Sequence, residues 1–218
     1  MFIAIVPAYN ESKRIKSVVK SLIPQVDKVV VIDDASIDDT AVHAEAAGAI
    51  VLTHPINLGQ GAALETGQVY ARMLNADIVL HFDGDGQFDV RDIVQAKKII
   101  ESGVDVVLGS RFLGVSSQIP WFKRCIILPI ARLVNWLFTG IKLTDAHNGF
   151  RMLGRRGLEH ITITHNRMSH ATEIISLIKK NNLTYREFPV SVTYHEYGQK
   201  VSGGFTIIKD LIIGKIIK

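Results

Sequence analysis

The run His81-Phe82-Asp83-Gly84-Asp85-Gly86-Gln87 places two carboxylates one residue apart on a tight, glycine-containing turn. Acids at that spacing can face a single divalent cation from one side. The remaining positions are then open to diphosphate oxygens, which is how Mg²⁺ or Mn²⁺ is usually held. A cation there would neutralise a departing diphosphate and lower the barrier to its release. Asp83, Asp85, Gln87 and Asp89 also alternate as in a calcium loop, but its sixth position is Phe88 rather than Gly and its twelfth Val94 rather than Glu. The reading without chemistry is a solvated acidic turn.

Two more clusters carry polar groups that suit a nucleoside. In Val6-Pro7-Ala8-Tyr9-Asn10-Glu11, Tyr9 can cover a base and Glu11 can accept from ribose hydroxyls or base donors. In Val31-Ile32-Asp33-Asp34-Ala35-Ser36, Asp34 can accept from a base N–H, or these acids and Ser36 can simply cap the next helix. Asn57-Leu58-Gly59-Gln60-Gly61-Ala62-Ala63 is a glycine-rich helix entry, able either to cradle a phosphate on backbone N–H groups or to form a close-packed turn. It lacks the Lys-Ser/Thr pair of a P-loop and the glycine fingerprint of a dinucleotide site, which argues against a nicotinamide enzyme.

The elements that must position these groups are legible from apolar spacing. Residues 2–6, 28–32, 49–52, 77–82 and 104–108 are short Val/Ile-rich runs bounded by polar residues or Gly, the pattern of buried strands. Between them, 12–22, 38–47, 62–74 and 89–102 repeat apolar residues at helical spacing, with Asp38 or Asp39 as a cap for the second helix. Such alternation predicts an α/β fold, a mostly parallel central sheet with helices on both faces. Ligands in such sheets bind beyond the carboxyl ends of the strands, where Glu11, Asp33, Asp34, Asp83 and Asp85 fall. Further on, 121–140 reads as a long apolar helix interrupted by Pro129, 169–180 as a helix, 184–193 as an extended strand and 205–217 as a last helix.

Composition narrows the class. The chain has 218 residues, 47% of them hydrophobic, which suits one ordered domain with a full core. A net charge of +4 is too mild for nucleic-acid binding but suits an anionic substrate or membrane surface. Cys125 is the one cysteine, so no internal disulfide forms and a reducing compartment is expected. No signal peptide and no transmembrane run are expected.

Taken together, these residues resemble family 2 of the glycosyltransferases, and within it the dolichyl- and polyprenyl-phosphate sugar transferases. The resemblance runs from Ile5 to about Ser202. It is carried by Pro7-Ala8-Tyr9-Asn10-Glu11, by Ile32-Asp33-Asp34-Ala35-Ser36 with Asp38-Asp39-Thr40, and by Asn57-Leu58-Gly59-Gln60-Gly61. It continues through Asp83-Gly84-Asp85-Gly86-Gln87, Gly109-Ser110-Arg111 and Asp145 to Gly149-Phe150-Arg151. What it implies is a nucleotide-binding sheet of the glycosyltransferase A (GT-A) type over residues 1–202, followed at 203–218 by an amphipathic helix. By the family's pattern Pro7, Tyr9, Glu11, Ile32 and Asp34 would hold base and ribose, and Asp83 and Gly84 would lie against the donor. Asp85 and Gln87 would touch Mg²⁺ or Mn²⁺, and Asp83 completes the acidic set. Arg111 and Arg151 would face phosphates, the alternative for Arg111 being a structural salt bridge. Glu173 stands near the position of a catalytic carboxylate, a base toward a hydroxyl acceptor but only a positioning group toward an anionic lipid phosphate. Gln60 departs from the basic residue common in relatives, and Gly198-Gln199-Lys200-Val201-Ser202 matches only partly a loop in which Lys200 would meet acceptor phosphate.

The implied activity is inverting transfer of a hexose from a nucleotide-diphosphate sugar to a polyprenyl phosphate at the cytoplasmic face of a membrane; the alternatives are transfer to a hydroxyl of a glycan or lipid-linked sugar, or a non-catalytic nucleotide-sugar-binding subunit. The segments 121–140 and 203–218, with Trp121, Trp136, Phe138 and the late lysines, either meet that surface or a membrane partner subunit, or pack as ordinary protein.

Overall fold

The computed structural model describes residues 1–113, 136 and 140–193. Seven strands, β1 Phe2–Ala8, β2 Lys28–Asp33, β3 Ile50–Thr53, β4 Ile78–His81, β5 Val106–Ser110, β6 Arg151–Gly154 and β7 Tyr185–Pro189, form one sheet in the order β3-β2-β1-β4-β6-β5-β7. The helices are α1 Ile15–Leu22, α2 Thr40–Ala46, α3 Gln60–Met73, α4 Asp92–Glu101, α5 Arg155–His160 and α6 His170–Lys180.

β1 is Phe-Ile-Ala-Ile-Val-Pro-Ala and buried along its whole length, as a strand covered on both faces must be. Its side chains alternate between two cores. Phe2, Ala4 and Val6 join Val29, Val31 and Leu80 under Ile15, Val18, Val19 and Leu22 of α1 and Ile93 and Ala96 of α4. Ile3 and Ile5 join Val30, Ile32, Val79 and Val106 under Ala63 and Leu64 of α3 and Ile174, Ile175 and Ile178 of α6. Each large aliphatic side chain so buried contributes about 1.5–3 kcal/mol over its exposed state. α3 lies especially close to the sheet: a Cβ on Gly67 would stand 2.3 Å from Ile5 Cγ2.

Strands β1 to β4 run parallel, and the order reverses between β1 and β4, opening a crevice at their carboxyl ends. The strand and helix expectations for the first half hold to within a few residues. The sequence did not reveal β6, which enters the middle of the sheet antiparallel to both β4 and β5. The extended stretch expected at 184–193 is shorter, ending as β7 at Pro189, with an isolated bridge between Phe88 and Val192. Most of the 121–140 segment, Cys125, Lys200 and the 203–218 helix lie outside the described residues. Among the described residues no helix is long and apolar enough to cross a membrane.

Candidate active site

The acidic turn leaves β4 at the crevice and rests on an aromatic base. Phe82, Phe88 and Phe150 meet edge to face with ring centroids 5.6, 6.4 and 5.8 Å apart. Gly84 packs on β1, where a Cβ would lie 3.1 Å from the Pro7 carbonyl, and Pro7 is the register partner of Ile32. Pro7, Ile32, Gly84 and Asp83 therefore share one end of the sheet.

The Asp83 Oδ1 accepts a hydrogen bond from Gln60 Nε2 at 2.9 Å. On its other side the backbone of Gly149 comes so near that a Cβ there would stand 2.1 Å from Asp83 Oδ2. Asp85 Oδ1 accepts from the Gln87 backbone N–H at 3.0 Å. Burial, and then the charge of Asp85, push the Asp83 carboxyl up to about 6. Among the described residues neither acid has an ion-pair partner within contact distance. Two neighbouring acids with no contact ion pair suit a divalent ion. Among the described residues no group of three or more His, Cys, Asp or Glu side chains could complete such a site. The other ligands would then be substrate oxygens and water, the arrangement Mg²⁺ tolerates well. Gln87 is tied through its backbone, its carbonyl accepting from Thr193 N–H at 2.9 Å.

Near Asp83 lies Arg151, the cross-strand partner of His81. It is 2% exposed, and among the described residues its Nη1 has no hydrogen-bond partner. Burial lowers its pKa to about 10, against the pull of Asp83 and Asp145. Three histidines nearby are held neutral. Burial, then Arg151, pushes His81 far down; the same two causes lower His147 and bring His170 to about 4. A guanidinium enclosed by neutral rings, with orphaned N–H, favours an incoming anion.

Other expected site residues have structural partners. Arg111 forms a fork with Asp145, at 2.7 Å from Nε and 2.9 Å from Nη2, so the salt-bridge alternative describes it and any phosphate must share it. Asp34 anchors the loop before α3. It accepts from Leu58 N–H (2.8 Å), Gly59 N–H (2.7 Å) and His54 Nδ1 (2.8 Å), which leaves about one of four lone-pair sites for a base N–H. Asp33 shapes the turn by accepting from Ser36 N–H at 3.3 Å, and Asp38, not Asp39, reaches the start of α2 at Thr40 N–H, 3.1 Å. Glu11 lies near Arg14, 3.4 Å away; burial raises its carboxyl despite that cation. Tyr9, the residue after β1, is 48% exposed. The glycine-rich entry is a close-packed turn: Gly61 and Ala62 N–H donate to the Asn166 carbonyl at 2.8 and 3.2 Å. Glu173 accepts from Thr164 N–H at 3.0 Å and His165 N–H at 2.9 Å, and so binds the 164–165 loop to α6.

Sequence reasoning missed the contact of Gln60 with Asp83, the Asn166 carbonyl and the buried histidines around Arg151. Only Gln60 carried a signal, as an amide flanked by two glycines.

Three comparisons bear on this geometry. An uncharacterized protein of Methanocaldococcus jannaschii is 33% identical over 222 residues, covering 97% of this chain and 91% of that one. A UDP-N-acetylglucosamine–dolichyl-phosphate N-acetylglucosaminyltransferase of Methanococcus voltae is 31% identical over 241 residues, covering 98% and 96%. The glucosyl-3-phosphoglycerate synthase of Mycobacterium tuberculosis, solved with Mn²⁺, UDP and glucosyl-3-phosphoglycerate, superposes with a TM-score of 0.71 at 19% identity, over 97% of this chain and 77% of that one. The fold is of the GT-A type. The model of "Glycosyl transferase family 2" matches residues 3–162, and with these relatives it establishes that the chain belongs to glycosyl transferase family 2.

Proposed function

We propose that this chain transfers a hexose from a nucleotide-diphosphate sugar to a polyprenyl phosphate, with inversion, at the cytoplasmic face of a membrane. The observation that carries the reading is the nearness of the acidic turn after β4 to a buried guanidinium, Arg151, whose Nη1 has no hydrogen-bond partner among the described residues. A divalent ion held by the acids would offset the charge of a donor diphosphate, and a phosphate oxygen would satisfy the free N–H of Arg151. When bound, Mg²⁺ or Mn²⁺ would supply Lewis-acid neutralisation of the leaving diphosphate. Asp83 and Asp85 would hold it, and the Gln87 side chain would be a further contact.

The chain's own residues do the rest. Tyr9, Glu11, Pro7 and Ile32 receive base and ribose at the ends of β1 and β2. Gly84 lets the donor approach β1. Arg151 and Arg111 stabilise phosphate charge as the acceptor oxygen attacks the anomeric carbon from the face opposite the diphosphate. A lipid phosphate is already anionic near neutral pH, so the step needs no strong base. That agrees with Glu173, whose carboxylate is occupied by Thr164 and His165. The lipid acceptor of the Methanococcus relative supports the same class. Lys200 and the 203–218 helix would meet acceptor phosphate and membrane.

The direct test is Asp85→Ala, which should abolish metal-dependent donor turnover and transfer while leaving the fold intact by circular dichroism. Unchanged turnover removes the acid pair from the mechanism. A thermal-shift panel of nucleoside diphosphates with and without Mn²⁺ identifies the base, since a ligand bound only by the native state raises Tm.

A further inference from the structure

Asp83 is held from one direction by a single side chain, Gln60, and the way that side chain is itself held gives it a purpose. A carboxylate only accepts hydrogen bonds, so the Gln60 amide must turn its nitrogen to Asp83 Oδ1, 2.9 Å away. Gln60 is the first residue of α3, and the backbone on both sides of it is fixed. Before it, Leu58 and Gly59 N–H donate to Asp34; after it, Gly61 and Ala62 N–H donate to the Asn166 carbonyl. The fit leaves no slack, because a Cβ on Gly59 would come 2.6 Å from the Asn166 carbonyl oxygen and one on Gly61 2.0 Å from that of His165. Gln60 therefore reaches Asp83 from an unyielding base, while Gly149 closes the opposite side of the carboxylate.

The amide is also neutral. It orients Asp83 without cancelling its charge, and among the described residues no Lys or Arg ion-pairs with Asp83 or Asp85. A lysine at the same place would add a positive charge beside Asp83 that the amide does not.

We propose that Gln60 is a positioning residue which holds Asp83 in place for a divalent cation without adding positive charge beside the acid pair. This rests on the reading of Asp83 and Asp85 as the cation site.

The test is Mn²⁺ alone, titrated into the full chain and followed through the free-ion electron paramagnetic resonance signal. Gln60→Met, which keeps length and removes the amide, should weaken Mn²⁺ binding about threefold at a Tm close to wild type. Gln60→Lys should weaken it by roughly tenfold or more, because its charge stands beside the site. Wild-type affinity in either variant overturns the proposal; should Gln60→Lys fail to fold, Gln60→Met decides alone. Asp85→Asn is the separate control. If it binds Mn²⁺ as wild type does, the cation site itself is refuted and this inference falls with it. If it loses binding while the Gln60 variants do not, only the role of Gln60 is refuted.

Discussion

Asp83 sits where burial and a neighbouring acid both oppose its charge, and this has a measurable consequence for stability. Its pKa is raised from 3.8 to about 6, so the protonated form is the one the native state favours. That contribution is complete below pH 3.8 and is lost as pH rises through about 6. The metal-free protein should thus lose about 2 kcal/mol between pH 4 and 7 that Asp83→Asn does not lose, read from denaturant unfolding at both pH values. Asp145 behaves oppositely. Burial would raise it, but the Arg111 fork holds it below the ordinary value, so its contribution persists above pH 3.8 and disappears on acidification. Arg111→Ala would strand a carboxylate that is 3% exposed, and we expect a loss of about 2 kcal/mol, less than for a fully enclosed pair because water reaches the guanidinium. Asp83 was legible in the sequence because it stands just after β4. The pairing of Asp145 was not: it lies 34 residues from Arg111, and nothing local in either segment announces the other.

At the scale of elements, the start of α3 is the joint on which the crevice depends. Its N–H groups look free in sequence and are in fact taken by the Asn166 carbonyl, contributed from about a hundred residues away. Gly61→Ala should cost about 2–3 kcal/mol, since its methyl meets a backbone oxygen rather than a side chain that can turn aside. Chemical denaturation measures that loss directly. Glu173→Gln probes the same joint from the other side. It keeps the shape of the side chain but replaces one acceptor oxygen with a donor that faces backbone N–H groups, so stability should fall by about 1 kcal/mol. Transfer to a lipid phosphate should fall only a few-fold by steady-state assay; loss of nearly all activity would indicate a proton-abstracting role and a hydroxyl acceptor. The helices of the first half were readable because apolar spacing is a local property. The function of Gly59 and Gly61 at the start of α3 was not, because it is set by a loop that arrives later in the chain.

Across the whole molecule, the order β3-β2-β1-β4-β6-β5-β7 explains what could and could not be read in advance. Strands linked by a helix, such as β1 and β2, follow from alternating patterns. β6 does not, being only Arg-Met-Leu-Gly and opening with a buried cation that reads as a surface residue. That short strand decides how the chain must be made. β5 hydrogen-bonds to β6 and β7 only, and β4 has β6 along one edge. During synthesis Val106, Val107 and Leu108 leave the ribosome with no neighbour to pair with until residue 154 has been added, roughly forty-five codons later, and the open side of β4 waits longer still, roughly seventy codons. Throughout that interval the nascent polypeptide carries two sticky backbone edges, a liability for self-association that makes it a natural client for holding chaperones.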